Sequence, residues 1–204
     1  MMARRALPVA VMAVLVAVLA AGCAPKVTRV ASNTVTDLSG RWNDTDSQQV
    51  ATAIVTDCLS QAWLDEWKAG NKNTRPIVIV GTIVNKSQEH INTDTFIKDI
   101  ERALINSGKV RFVSSSTERD EVRQERWDQN EGHTSEKTRS AVGQETGANF
   151  IMKGSINSIV DQYNNEAAVW YQVNVELHNI TTNEIAWVGQ HKIKKFVERS
   201  QVRW

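Results

Sequence analysis

The chain has 204 residues, with 24 Lys and Arg against 23 Asp and Glu, 41% apolar residues and two cysteines. This near-neutral balance excludes a nucleic-acid binder built on basic surplus and an acidic, disordered chain. Two cysteines exclude a disulfide framework, and no stretch after residue 22 is apolar for long enough to span a bilayer.

Arg4 and Arg5 precede an apolar run from Ala6 to Ala21, and small residues lead up to Cys23. The run is short for a spanning helix, which needs roughly 20 apolar residues. The pattern is that of a secretory signal peptide over residues 1–22. Leu19-Ala20-Ala21-Gly22-Cys23 resembles a bacterial lipobox. That resemblance implies lipid transfer to the Cys23 thiol, cleavage before it and acylation of the new amino group. The product would be anchored to a membrane without spanning it, because two or more acyl chains hold firmly. Ala24, not Asp, follows the cysteine, which implies sorting to the outer membrane with the domain facing the periplasm. The remaining 182 residues divide into the lipidated cysteine and a short tether (23–36), a globular domain (37–196) and a polar tail (197–204). From Cys23 to Asp37 is 14 residues, ~50 Å at full stretch and ~20 Å as a flexible coil.

Asp44 to Ser47 offers N-cap residues ahead of an apolar stripe at Val50, Ala53, Ile54 and Cys58, which predicts a helix over 46–68. A calcium loop starting at Asp44 would need Gly at 49 and Glu at 55, where Gln49 and Val55 stand. Cys58, without a partner once Cys23 is lipidated, is expected in the core as a small hydrophobe, the alternative being a catalytic thiol. The β-branched run 76–84 predicts a strand buried on both faces. Thr93 or Asp94 then caps a helix carrying Phe96, Ile97, Ile100, Leu104 and Ile105, which Gly108 ends. Val110 to Val113 is a second strand, parallel to the first through a right-handed crossover. Residues 117–131 are nearly all charged and predict an outer helix. Trp127 there is expected to anchor onto the core, the alternative being a contact surface shared with Arg126. A further helix is expected from Thr134 or Ser135 to Gln144. Phe150, Met152, Gly154 and Ile156 alternate along a third strand. Val169, Tyr171, Val173, Val175 and Leu177 form the inner face of a fourth, and Trp170, Gln172 and Asn174 lie on its outer face. A fifth strand has Ile185 and Trp187 inward. The fold class is α/β, with a mixed four- to five-stranded sheet flanked by helices.

No Gly-rich phosphate loop, zinc spacing among the four histidines, or serine-hydrolase motif is present. No catalytic residue, metal site or cofactor is expected, and a binding module is the reading that remains. Its interaction surface is then the outer face of the final hairpin, around Trp170, Gln172 and Asn174, with Arg126 and Trp127 as a second site. Aromatics and Arg are the usual anchors of interfaces. The alternative for Trp170 is that the tether, the tail or a helix covers it.

Asn85-Lys86-Ser87, residues 103–109 (ALINSGK), 138–143 (TRSAVG), 146–152 (TGANFIM) and 183–189 (NEIAWVG) together resemble, in order and spacing, the LpoB family. These are outer-membrane lipoproteins that activate a bifunctional, class A penicillin-binding protein. The resemblance covers about residues 40 to 193. It implies a fold similar to the N-terminal domain of TolB, and docking on a regulatory domain of the synthase, with the chemistry left to the partner. A monomer without cofactor or nucleic acid is expected. The tether departs from the long Pro-rich one of enterobacterial members, since only Pro25 lies in it. A second reading is a periplasmic subunit of an outer-membrane secretion assembly, like the curli-secretion lipoproteins; the chain has no spare long alternating pair for a barrel.

Overall fold

The computed structural model describes residues 27–32 and 34–198. The expected signal peptide, Cys23 and residues 199–204 lie outside them. The chain divides into two units, residues 1–34 and 35–204. The described residues of the first are exposed.

The second unit starts with two helices where one was expected: α1 (Asp44–Cys58) and α2 (Ala62–Gly70). The cap of α1 is Asn43, one residue earlier than expected. Its side chain accepts from Asp46 N (3.0 Å) while Asp46 accepts from Asn43 N (2.9 Å), a reciprocal box that satisfies two donors at the helix start. The break falls at Leu59 because Ser60 turns back onto the Asp57 carbonyl and the Trp63 indole donates to the Cys58 carbonyl (2.6 Å). The turn lets Leu59, Trp63 and Leu64 join the same core as Val50 and Ile54.

Strand β1 (Ile77–Lys86) leads to α3 (Thr93–Asn106), capped by Asn92, whose Oδ1 accepts from Asp94 N (3.0 Å). Phe96, Ile100 and Leu104 are buried at helical spacing, each worth about 1.5–3 kcal/mol of transfer free energy. Ile105 points to solvent. Gly108 ends the helix with φ +64°, a left-handed conformation that suits glycine. Strand β2 (Arg111–Phe112) pairs parallel with β1. The charged helix α4 (Ser116–Asp128) is capped by Ser115 and buries no residue. The helix expected from 134 or 135 to 144 does not form. That segment is a loop with turns at Ser135–Arg139 and Val142–Gly143, since its one large apolar residue, Val142, has no core to face.

Three long strands complete the unit: β3 (Phe150–Tyr163), β4 (Glu166–Asn179) and β5 (Ile185–Glu198). The sheet order is β2-β1-β3-β4-β5, parallel from β2 to β3 and antiparallel from β3 to β5. The fold is therefore α/β with a mixed five-stranded sheet flanked by helices. Alternation dictates its faces: Met152, Ile156, Tyr171, Val173, Val175 and Leu177 are at most 1% exposed, against helices α1 to α3. Three expectations change. The first strand is buried on both faces only at Val78, Ile79 and Val80; beyond the register shift at Gly81–Thr82 it alternates, and Val84 is exposed. Ile185 is exposed, because the ladder shifts between Leu177 and His178 and leaves it opposite His178 on the outer face. The polar tail begins two residues later than expected, since β5 runs on through Val197 and Glu198.

Candidate interaction surface

Strand register sets out the uncovered face of the sheet row by row. Ile159, Trp170 and Lys194 are neighbours across β3, β4 and β5; Asn157, Gln172 and Lys192 form the next row, and Ser155, Asn174 and Gln190 the one after. The three hairpin residues singled out in the sequence therefore share one surface. Trp170 is half-buried, and Lys192 from the diagonal neighbour places its Nζ 5.9 Å from the ring centroid. Gln172 Nε2 and Gln190 Nε2 both donate to Asn174 Oδ1, at 2.8 and 2.9 Å. Asn157 Nδ2 donates to the Gln172 carbonyl (3.4 Å). This amide ladder holds the side chains flat, so the face is preorganised and polar with one aromatic in it. The helices packed on β4 lie on the other face.

The second surface is separate. Among the described residues, no hydrogen bond or ion pair joins Arg126 or Trp127 to Trp170, Gln172 or Asn174. Trp127 is 57% exposed and does not anchor α4 to the core. Arg126 acts locally: its Nη1 meets Glu145 Oε1 (2.8 Å), while Arg123 binds both oxygens of the same carboxylate at 2.9 Å. The two guanidiniums, Arg123 first, hold the Glu145 carboxyl down to about 2. They tie the loop 134–148 to α4.

Sequence reasoning missed a cluster that fixes how the chain enters the domain. Lys195 Nζ lies 2.6 Å from both Asp37 Oδ1 and Asp46 Oδ2 and donates to the Arg41 carbonyl (3.1 Å). Trp42 N donates to Glu89 Oε2 (3.1 Å), and the Tyr171 hydroxyl donates to Glu89 Oε1 (2.6 Å). Burial, then the Glu89 carboxylate, push the phenol upward. The Trp42 ring packs edge-on to Tyr171 and Phe96. The signal for Lys195 was its inward parity on β5, two residues from Ile193 and opposite Val169.

Two open clefts of about 700 Å³ complete the surface. One is lined by Trp63, Trp67, Phe150, Glu66 and Glu184; the other lies between α3, the start of α4 and the outward residues Ile151 and Lys153. Among the described residues no group of His, Cys, Asp and Glu could hold a metal ion, and no helix is long and apolar enough to cross a membrane. Cys58 is buried, and that burial pushes its thiol up to about 12, which suits packing and not nucleophilic chemistry.

Residues 46–193 match the family described as peptidoglycan-synthase activator LpoB. No curated protein matches the sequence. Among solved structures, the chain is similar to the LpoB C-terminal domain from Salmonella enterica, with a TM-score of 0.43 and 17% identity, over 74% of this chain and 99% of that one. It is similar to the LpoB C-terminal domain from Escherichia coli, at 0.42 and 16%, over 74% and 99%. It is also similar to the lipoprotein GNA1162 from Neisseria meningitidis, at 0.39 and 13%, over 63% and 88%.

Proposed function

The chain belongs to the LpoB family of peptidoglycan-synthase activators, and on that premise we propose that it is an outer-membrane lipoprotein that binds and activates a class A penicillin-binding protein. The anchor is Cys23, lipidated on its thiol and, once the lipobox is cleaved, acylated on its new amino group. The partner surface is the outer face of the sheet, centred on Trp170, Gln172 and Asn174, with Trp127 as a second contact and Arg126 shaping the loop beside it.

One observation carries the choice of face. Trp170 is held between Ile159 and Lys194 beside a fixed ladder of amides, on a side of β4 that none of the described helices covers. A rigid aromatic ringed by satisfied polar groups is the pattern of an interface hot spot. Activation follows if the synthase exposes the complementary surface more fully in its active state, because a ligand shifts an equilibrium only by its differential affinity for the two states. The chain itself carries out no bond making.

The test uses the full lipidated chain in detergent with purified class A synthases from the same cells, reading glycan polymerisation and binding. The wild type should bind and stimulate one of them. Trp170→Ala should weaken binding about 30-fold, as loss of a 2 kcal/mol anchor does. Trp127→Ala reports the second surface. Failure of the wild type to bind or stimulate any class A synthase overturns the reading.

A further inference from the structure

The three-stranded ribbon continues past the core. The last buried side chain on β3 is Ile156 and the first on β4 is Val169, so residues 157–168 project beyond the helices as a hairpin turning at Asn164. Parity puts Ile159, Asp161 and Tyr163 on the outer face of this tip, with Lys194, Phe196 and Glu198 in the same rows on β5, across Trp170, Ala168 and Glu166 of the intervening β4. Ile159 is 60% exposed, Tyr163 78% and Phe196 66%. Three large apolar or amphipathic side chains bare on one end of one face exceed the scattered exposure normal for a monomer.

The chain enters the domain at the same end. Asp37 is clamped to Lys195, and Gly40 lies against Val197 so closely that a Cβ there would sit 2.1 Å from the valine Cγ2. Leu38, between them, is 93% exposed. Val35 is only 12 residue steps along the chain from Cys23. That path is ~40 Å at full stretch and about 19 Å as a flexible coil. On the reading that Cys23 is the anchor, this end cannot leave the neighbourhood of the bilayer, whereas the Asn179–Glu184 turn lies one strand length away, roughly 45 Å.

We propose that Tyr163 and Phe196, with Ile159 at the margin and Leu38 at the same end on the opposite face, seat in the headgroup layer of the membrane that carries the anchor, standing the sheet end-on to the bilayer. The inference rests on the anchor reading of the previous section. The chemistry of the tip selects the mode of contact. Among the described residues of the tip, Asp161, Glu166 and Glu198 outnumber Lys194, so these residues do not draw it to anionic lipid. Contact is through apolar area and through a tyrosine at interfacial depth, where amphipathic rings settle. A short tether makes this a second, intramolecular contact, which holds even when the patch alone binds weakly. The rows of Gln172 and Asn174 lie inward of the tip and stay open to a partner. Trp170 marks the boundary.

The test is site-directed spin labelling of the full chain in phosphatidylcholine vesicles. Asn165→Cys places a nitroxide at the tip and Thr182→Cys places one at the far turn; the native Cys58 is buried and does not take the label. The mass of the purified chain first establishes acylation at Cys23. The tip label should be about tenfold less accessible to a water-soluble nickel relaxant than the far label, the ratio that 1.4 kcal/mol of burial sustains. Added salt should leave it unchanged. Tyr163→Ser with Phe196→Ser should erase the difference while circular dichroism and Trp170-dependent partner binding persist. An acylated chain with equally wet labels overturns this inference alone, whereas a chain not acylated at Cys23 overturns the anchor and the inference with it. Protection that vanishes when the protein is diluted within the bilayer identifies a second copy as the occupant and likewise overturns the lipid contact.

Discussion

Replacing Lys195 by Met isolates the clamp that fixes the incoming segment. The lysine side chain is 10% exposed, Asp46 6% and Asp37 48%. Removing one partner of a buried ion pair costs ~3–5 kcal/mol, because the other charge is left without compensation. Two features reduce that here. Water takes over the charge of the half-exposed Asp37. Asp46 keeps the Asn43 N–H and lies in the first turn of α1, where the helix dipole favours a carboxylate. The expected loss is about 2–3 kcal/mol. Burial opposes the charge on Lys195, but Asp37 and Asp46 outweigh it and its pKa is raised. A raised folded value means the contribution is whole below the unfolded lysine value of roughly 10.4 and is lost as pH climbs through the folded one, so urea titration near pH 7 reads it in full. Adding Asp46→Asn removes the stranded charge and should bring the loss back to about 1 kcal/mol. A loss below about 0.5 kcal/mol for Lys195→Met would rank it with screened surface lysines and refute the reasoning.

Further outcomes follow from single contacts. The buried Cys58, pushed up to about 12, should resist alkylation in the native chain near pH 8 and react once urea unfolds it; native reactivity would contradict its packing. Trp187 Nε1 donates to Asp57 Oδ2 (3.0 Å); Gly189→Ala would put a Cβ 2.0 Å from Trp187 Cζ2 and drive the indole off that carboxylate, at a cost of ~1–3 kcal/mol in thermal melts. Glu145, held to about 2 by Arg123 and Arg126, contributes above the unfolded glutamate value of roughly 4.3 and ceases to as pH falls through its folded value. Amide exchange across 134–148, corrected for intrinsic rates, should therefore quicken from about pH 4 to pH 2, and Glu145→Gln should show the faster exchange at neutral pH. An unaltered loop in that variant would mean the ion pairs do not hold it.

Much of this was legible because period and parity are local properties. The inward face of β4 follows from alternation alone, as does the shared outer face of Trp170, Gln172 and Asn174. Helix α3 is marked by its stripe from Phe96 to Leu104 and by the glycine after it. The errors fall where a tertiary partner decides. Nothing in the stripe from Val50 onward shows that the Trp63 indole will take the Cys58 carbonyl and split one expected helix into two. Ile185 has inward parity if the hairpin runs in perfect register, and the ladder shift at His178 cancels it. Trp127 looked like an anchor because a lone tryptophan in a charged stretch usually finds a core, yet α4 has none beneath it. The site itself was half legible. The aromatic and the amides were visible on β4, but their neighbours Ile159, Lys192 and Gln190 needed the strand pairing to place them.

Tether length is what joins the proposed anchor to the proposed partner. The domain has a radius of gyration near 15 Å, hence roughly 40 Å across, and the path from Cys23 to Val35 adds at most ~40 Å. Deleting residues 27–34 removes eight residues of path and leaves about 14 Å of it. No residue of the clamp or of the outer sheet face is touched, since Asp37, Trp42 and Lys195 all lie in the retained part. Stimulation of the purified synthase in detergent should therefore be unchanged. Peptidoglycan synthesis dependent on this protein in intact cells should also be kept, because a tip seated in the headgroup layer already holds the domain at the membrane and the remaining path still spans that distance. The two assays separate reach from recognition. Equal loss in both would mean the deleted stretch itself contributes to folding or binding. A loss in cells alone would mean that the domain lifts off the bilayer to meet its partner, and would overturn the seated tip.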